Sequence, residues 1–151
     1  MYKKLFQIVF VACILFVTAS FAAAHCEVPC GIYDDEMRIS MINEHITTIE
    51  KAMSQVADLQ TKSPIDYNQV TRWIMTKEQH ANELQKIVTQ YFMTQRIPPG
   101  DKDYMKKVSL LHKMLVAAMK CKQTTDLAHT KELSSLLKEF HNVYFGGSGN
   151  E

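Results

Sequence analysis

Apolar residues recur at spacings of three and four through most of the chain after residue 34, the pattern of helices that each bury one face. Ile42, Ile46, Ile49, Met53 and Val56 form a first stripe, in a segment expected to run from about Asp34 to Thr61. Val70, Trp73, Ala81, Leu84, Val88 and Tyr91 form a second, which should end near Phe92 or Thr94. Met105, Val108, Leu111, Leu115 and Ala118 predict a third helix from Asp101 to near Lys122, and Leu133, Leu136, Leu137, Phe140 and Tyr144 a fourth. No segment shows the period-two alternation of a strand, and no internal repeat is present.

The residues between the stripes punctuate them. Asp34-Asp35-Glu36 puts acids at the positive end of the first helix. Ser63-Pro64 ends it, because the residue before proline avoids helical geometry. Asp66 and Gln69 have capping-box spacing, Ile97-Pro98-Pro99-Gly100 is a break, and Thr124 or Thr125 should cap the fourth helix. Four amphipathic helices with short connections predict an all-α, up-down-up-down four-helix bundle over residues 34–145, followed by a Gly-rich flexible tail at 146–151. The first two helices, at about 25 residues, would each approach ~40 Å. Ile39, Met41, Met75 and Ile87 lie off the main stripes and serve either subunit contacts or a widened core face.

The start of the chain has a different pattern. Lys3-Lys4 precedes an apolar run from Leu5 to Val17 and small residues at Ala22-Ala23-Ala24, which reads as a secretory signal peptide over residues 1–24. The run is too short to span a membrane. Cleavage after Ala24 is favoured, with a cut after Ala22 as its rival; lipidation at Cys13 is disfavoured by Phe10. Of 151 residues, 127 remain after the cut, enough for one domain with a real core. Losing Lys3 and Lys4 leaves 15 basic against 16 acidic residues, so the net charge moves from +1 to −1 and gives no sign of nucleic-acid binding. The expected location is secreted or periplasmic, with no stable membrane association once the signal is removed.

Cleavage after Ala24 places His25-Cys26-Glu27-Val28-Pro29-Cys30-Gly31-Ile32-Tyr33 at a new N-terminus, a hook over residues 25–33. His25 then offers a free amine and an imidazole, and Cys26 a backbone nitrogen and a thiolate. The amine with the Cys26 amide nitrogen, and that nitrogen with the Cys26 sulfur, close two five-membered chelate rings. Cys30, returned by the turn at Pro29 and Gly31, can add a second thiolate. Two nitrogens and two sulfurs in a plane, with the imidazole above, point to Ni(II) or Cu(II), whereas zinc prefers a tetrahedron and hard cations prefer oxygen. Thiolate and amidate donors lower the potential of trivalent nickel and open one-electron cycling to it. The competing reading of Cys26 and Cys30 is a surface disulfide on an interaction domain.

These residues resemble the nickel hook of nickel-containing superoxide dismutase. Arg38-Ile39, Thr71-Arg72, Lys77-Glu78-Gln79, Tyr91-Phe92 and Pro98-Pro99 extend the resemblance along the mature chain. It implies one nickel ion per subunit held by His25, Cys26 and Cys30, dismutation of superoxide by Ni(II)/Ni(III) cycling, Tyr33 and Tyr91 bordering the substrate channel, and a homohexamer. In members whose Arg-Ile is followed by glutamate and whose Lys-Glu-Gln is followed by arginine, those two residues help hold the hook histidine; here they are Ser40 and His80. The lysine expected after Tyr-Phe is Met93, so the group that steers the anionic substrate is expected elsewhere. The alternative function is a secreted helical bundle that captures nickel or copper without turnover.

Other candidates carry less. His45, His112, His129 and His141 are scattered over different helices without the Glu-x-x-His pattern of carboxylate di-iron bundles. The methionines follow helical spacing and read as core filler. Cys121, between Lys120 and Lys122, reads as a lone semi-buried thiol. No nucleophile elbow, phosphate loop or zinc signature is present.

Overall fold

A computed structural model of the chain describes Tyr2 and residues 33–146. The rest of the expected leader, His25, Cys26 and Cys30 of the expected hook, and the tail from residue 147 lie outside the described residues. Helix α1 spans Asp35–Leu59, α2 spans Tyr67–Lys86 and runs on into a π-helical segment Ile87–Arg96, α3 spans Tyr104–Gln123 and α4 spans Ala128–Phe145. Each helix packs on its neighbour in sequence, and α4 packs back on α1 to close the bundle. There is no strand among the described residues, and no described helix is long and apolar enough to cross a membrane.

The helix starts follow from local chemistry. Asp34 accepts a hydrogen bond from the Met37 backbone N–H at 2.9 Å, and Asp66 accepts one from Gln69 N–H at 3.0 Å, so each satisfies an amide that the first turn leaves without a partner. The third helix begins at Tyr104, three residues later than the pattern suggested, because Gly100 and Asp103 both take positive φ, 92° and 58°, and break the helical path. At α4 the expected threonine cap is corrected: Asp126 accepts the Ala128 N–H at 2.9 Å, while Thr124 closes the end of α3.

The first stripe is wholly buried, Ile42, Ile46, Ile49, Met53 and Val56 all facing the core. In α2 the stripe is buried from Ala81 onward, while Val70 and Trp73 near the start are half-buried. Of the third stripe, Leu111 and Ala118 are buried as expected and Val108 and Leu115 pack against the core, so only Met105 falls outside. Met105 is 75% exposed, and Leu110, Leu111, Met114, Ala117, Ala118 and Cys121 take the interior. Lys107 enters that face because its Nζ pairs with Asp101 at 2.7 Å. Ile39 and Ile87 belong to the core and Met41 packs against it, so the widened core face is the alternative that holds for these three; Met75 remains outside.

Lys77 is buried in a way no apolar pattern shows. Its Nζ donates to the Lys122 carbonyl at 2.6 Å and the Thr124 carbonyl at 3.3 Å, so a cation from α2 closes the negative end of α3. At the other end of the bundle, Phe92 meets Phe140 edge-on at 5.0 Å and Tyr144 at 5.5 Å, locking the π segment to α4.

Candidate functional site

Tyr33 is the first residue of the described bundle and the last of the expected hook, so its neighbours define where that hook is rooted. Its ring lies edge-on to Tyr91 with centroids 6.0 Å apart, and the guanidinium of Arg96 lies 4.4 Å from its centroid. The two tyrosines singled out from the sequence are therefore brought together, from chain positions on either side of the bundle's first helical hairpin. Tyr33 is 40% exposed, whereas Tyr91 is buried.

Beneath this pair sits Asp35, on which three side chains converge. Tyr91 donates its hydroxyl to Oδ1 at 2.5 Å, Tyr144 of α4 donates to Oδ2 at 2.8 Å, and Arg96 forks onto both oxygens with Nε–Oδ1 at 2.9 Å and an Nη–Oδ2 contact at 2.8 Å. Burial pushes the Asp35 carboxyl up, but the bonds from Arg96, Tyr91 and Tyr144 outweigh it and leave its pKa below the ordinary carboxylate value. Burial, and then the bond to this carboxylate, push the Tyr91 phenol up to about 12. Tyr91 is therefore a neutral phenol whose only O–H is committed to Asp35. Tyr144 is raised for the same two reasons.

The convergence depends on the π segment. Its carbonyls are reached from five residues on, as in Ile97 N–H to Phe92 O at 3.1 Å. Five residues also separate Tyr91 from Arg96, so both side chains return to the same face.

On the outer side of Tyr91 a pocket of about 80 Å³ opens between α1 and the α2–π helix, lined by Arg38, Met41, His45, Glu83, Lys86, Ile87 and Tyr91. Arg38 lies over the Tyr91 ring, 4.8 Å from its centroid. Deeper along the same interface His45 and His80 face each other with Nδ1–Nδ1 at 2.9 Å, so one ring donates and the other accepts. The pKa of His45 is lowered, first by burial and then by His80, against the smaller opposing pull of Glu83 and Glu44. Ser40 is far from this pair in role: it lines a groove between α1 and α4 with Asn43, Ser134 and His141. Ser40 and His80 thus face different sides of α1. Met93 packs against the core.

Sequence reasoning missed Arg96, Tyr144 and the pairing of His45 with His80, and it read Asp35 only as a first-turn acid. Arg96 was hidden because a five-residue return is invisible to a search at helical period. Cys121 is fully buried, and burial pushes its thiol up to about 11, which removes it from metal or redox chemistry near neutral pH. No group of three metal-ligating side chains occurs among the described residues.

The family model described as nickel-containing superoxide dismutase matches residues 20–147, which includes the whole described bundle and the hook residues before it. No curated protein and no solved structure matches the chain.

Proposed function

The chain belongs to the nickel-containing superoxide dismutase family and is an enzyme of that activity, and from that premise we propose that its nickel is held by a hook created when a signal peptide is cut after Ala24. The donor set suits the metal: a free amine, an amide nitrogen and two thiolates fit a late transition ion, and no group of three metal-ligating side chains among the described residues competes for it. The His25 amine, the Cys26 amide nitrogen and sulfur, and the Cys30 sulfur would hold the ion, with the His25 imidazole as the further ligand. When bound, nickel supplies a one-electron couple by which one superoxide is oxidised to dioxygen and a second, with two protons, is reduced to hydrogen peroxide.

The observation that carries the reading is the anchorage of Tyr33 against Tyr91 and Arg96. Three residues separate Cys30 from Tyr33, a tether of about 11 Å at most, so a site that uses Cys30 must form beside that cluster. Tyr33, partly exposed, borders the approach to the site. Tyr91, its hydroxyl bound to Asp35, forms a fixed wall and gives no proton.

The mature protein on this reading is secreted or periplasmic and works as a homohexamer. Tyr67 at 72% and Met75 at 66% exposure are apolar surface on α2 that support subunit contact. Sedimentation of the mature protein tests the assembly: a hexamer mass is expected, and a monomer at working concentration would overturn it.

The deciding measurement is superoxide decay with Ni(II)-loaded protein that begins at His25, beside a version with one extra alanine before it. Fast decay lost on adding that alanine, and lost in Cys26→Ser and Cys30→Ser, is the expected result. Equal catalysis by both versions would remove the N-terminal amine from the site.

A further inference from the structure

Tyr91 stands between two guanidinium groups in opposite situations. Arg96 forks onto Asp35 and is neutralised there, at 2.8 Å. Arg38 lies 4.8 Å from the Tyr91 ring centroid and its Nη1 rests 4.0 Å from the Met41 sulfur; no carboxylate among the described residues pairs with it. A half-buried cation with no counter-ion among the described residues, set in the wall of a pocket, projects a field that a paired one does not.

The pocket suits a small monoanion. Its volume of about 80 Å³ exceeds that of two waters, ~60 Å³, which is about the bulk of a diatomic ion. Arg38 and Lys86 among its lining residues are positive and Glu83 is negative. His45, with its pKa lowered by burial and by His80, adds no charge near neutral pH. The lining therefore keeps a positive balance, and Tyr91 links it to Tyr33 and so to the root of the hook.

We infer that Arg38 draws superoxide toward the nickel site through the pocket beside Tyr91, the electrostatic role for which Met93 carries no charge. The inference rests on the hook forming next to Tyr33. It assigns Arg38 to substrate capture and leaves Arg96 as a positioning residue that acts through Asp35 and Tyr33.

Two measurements test it. In nickel-loaded protein beginning at His25, Arg38→Gln should lower kcat/KM at low ionic strength by about three- to tenfold, and the gap should close as salt screens the charge. Arg38→Lys should keep most of the rate and its salt dependence, and Arg38→Glu should fall below Arg38→Gln, with nickel content unchanged in all three. In metal-free protein, azide as a monoanionic probe should shift the Arg38 Nε–H resonance in an NMR titration and leave that of Arg96 in place. Equal kcat/KM and equal salt dependence in wild type, Arg38→Gln and Arg38→Lys would overturn the inference, as would an azide response at Arg96 alone. Absence of nickel-dependent decay in the wild type would instead strike the hook reading, and the azide titration would still decide the role of Arg38.

Discussion

Tyr144 and Asp35 are joined by a 2.8 Å hydrogen bond although 109 residues separate them in the chain. Through it the last helix holds the first turn of the first helix, directly below Tyr33. The prediction is that Tyr144→Phe removes a bond to a charged acceptor and costs about 1.5–3 kcal/mol of stability, measured by urea unfolding. Asp35→Asn should cost more, about 3 kcal/mol or above, because it also leaves Arg96 without its counter-charge. Equal stability of Tyr144→Phe and wild type would mean that the bond to Asp35 adds nothing to the apolar packing that holds α4.

The His45–His80 pair predicts an acid-sensitive window. Because the pKa of His45 is lowered in the folded chain from its ordinary 6.5, the unfolded chain binds the proton more readily. Stability contributed by the neutral ring is therefore present above that value and is lost as pH falls below it. Thermal midpoints measured between pH 7.5 and 5 should fall for the wild type and fall less for His45→Gln. Asp35, whose pKa is lowered from 3.8, adds a separate loss only at more acid pH.

Lys77 offers a test of a buried cation in a structural role. Lys77→Met keeps the bulk but leaves the Lys122 and Thr124 carbonyls without their donor, and should cost about 1.5–3 kcal/mol in thermal unfolding. Nickel content after loading should not change, since the side chain reaches the α3–α4 turn and not the surroundings of Tyr33.

Cys121 should be silent. Its buried thiol, pushed up to about 11, should resist a thiol reagent in the folded state and react on unfolding. Cys121→Ala should retain nickel and activity, which separates it from Cys26 and Cys30. A fall in bound nickel in that variant would show that the donor set has been wrongly drawn.

How much of this was legible beforehand differs by element. The stripe of α1 was read correctly because Ile42 to Val56 has only one apolar face to offer. In α3 the expected stripe holds at Val108, Leu111, Leu115 and Ala118 and fails at Met105, because the segment carries Leu, Val, Met and Ala on several faces and periodicity alone does not choose Leu110 and Met114 over Met105. Tyr33 and Tyr91 were selected through the family resemblance, and their proximity follows from the structure. Arg38 enters the sequence reading only as part of a motif; that no described carboxylate pairs with it is a property of three-dimensional neighbours, which no spacing reports. Arg96 and Tyr144 were unreadable because their meaning lies in Asp35, to which each is joined across the bundle.

The π segment places an unusual demand on the gene that encodes it. In an α-helix, five residues overshoot a full turn by roughly 140°, and Tyr91 and Arg96 would look in different directions. They converge on one carboxylate only with the larger number of residues per turn in Ile87–Arg96. Spacing is therefore constrained more tightly there than side-chain identity. Exchange of the exposed Thr94 loses only its bond to the Thr89 carbonyl, while one residue inserted between Tyr91 and Arg96 would swing Arg96 away from Asp35 and leave Tyr33 without its clamp.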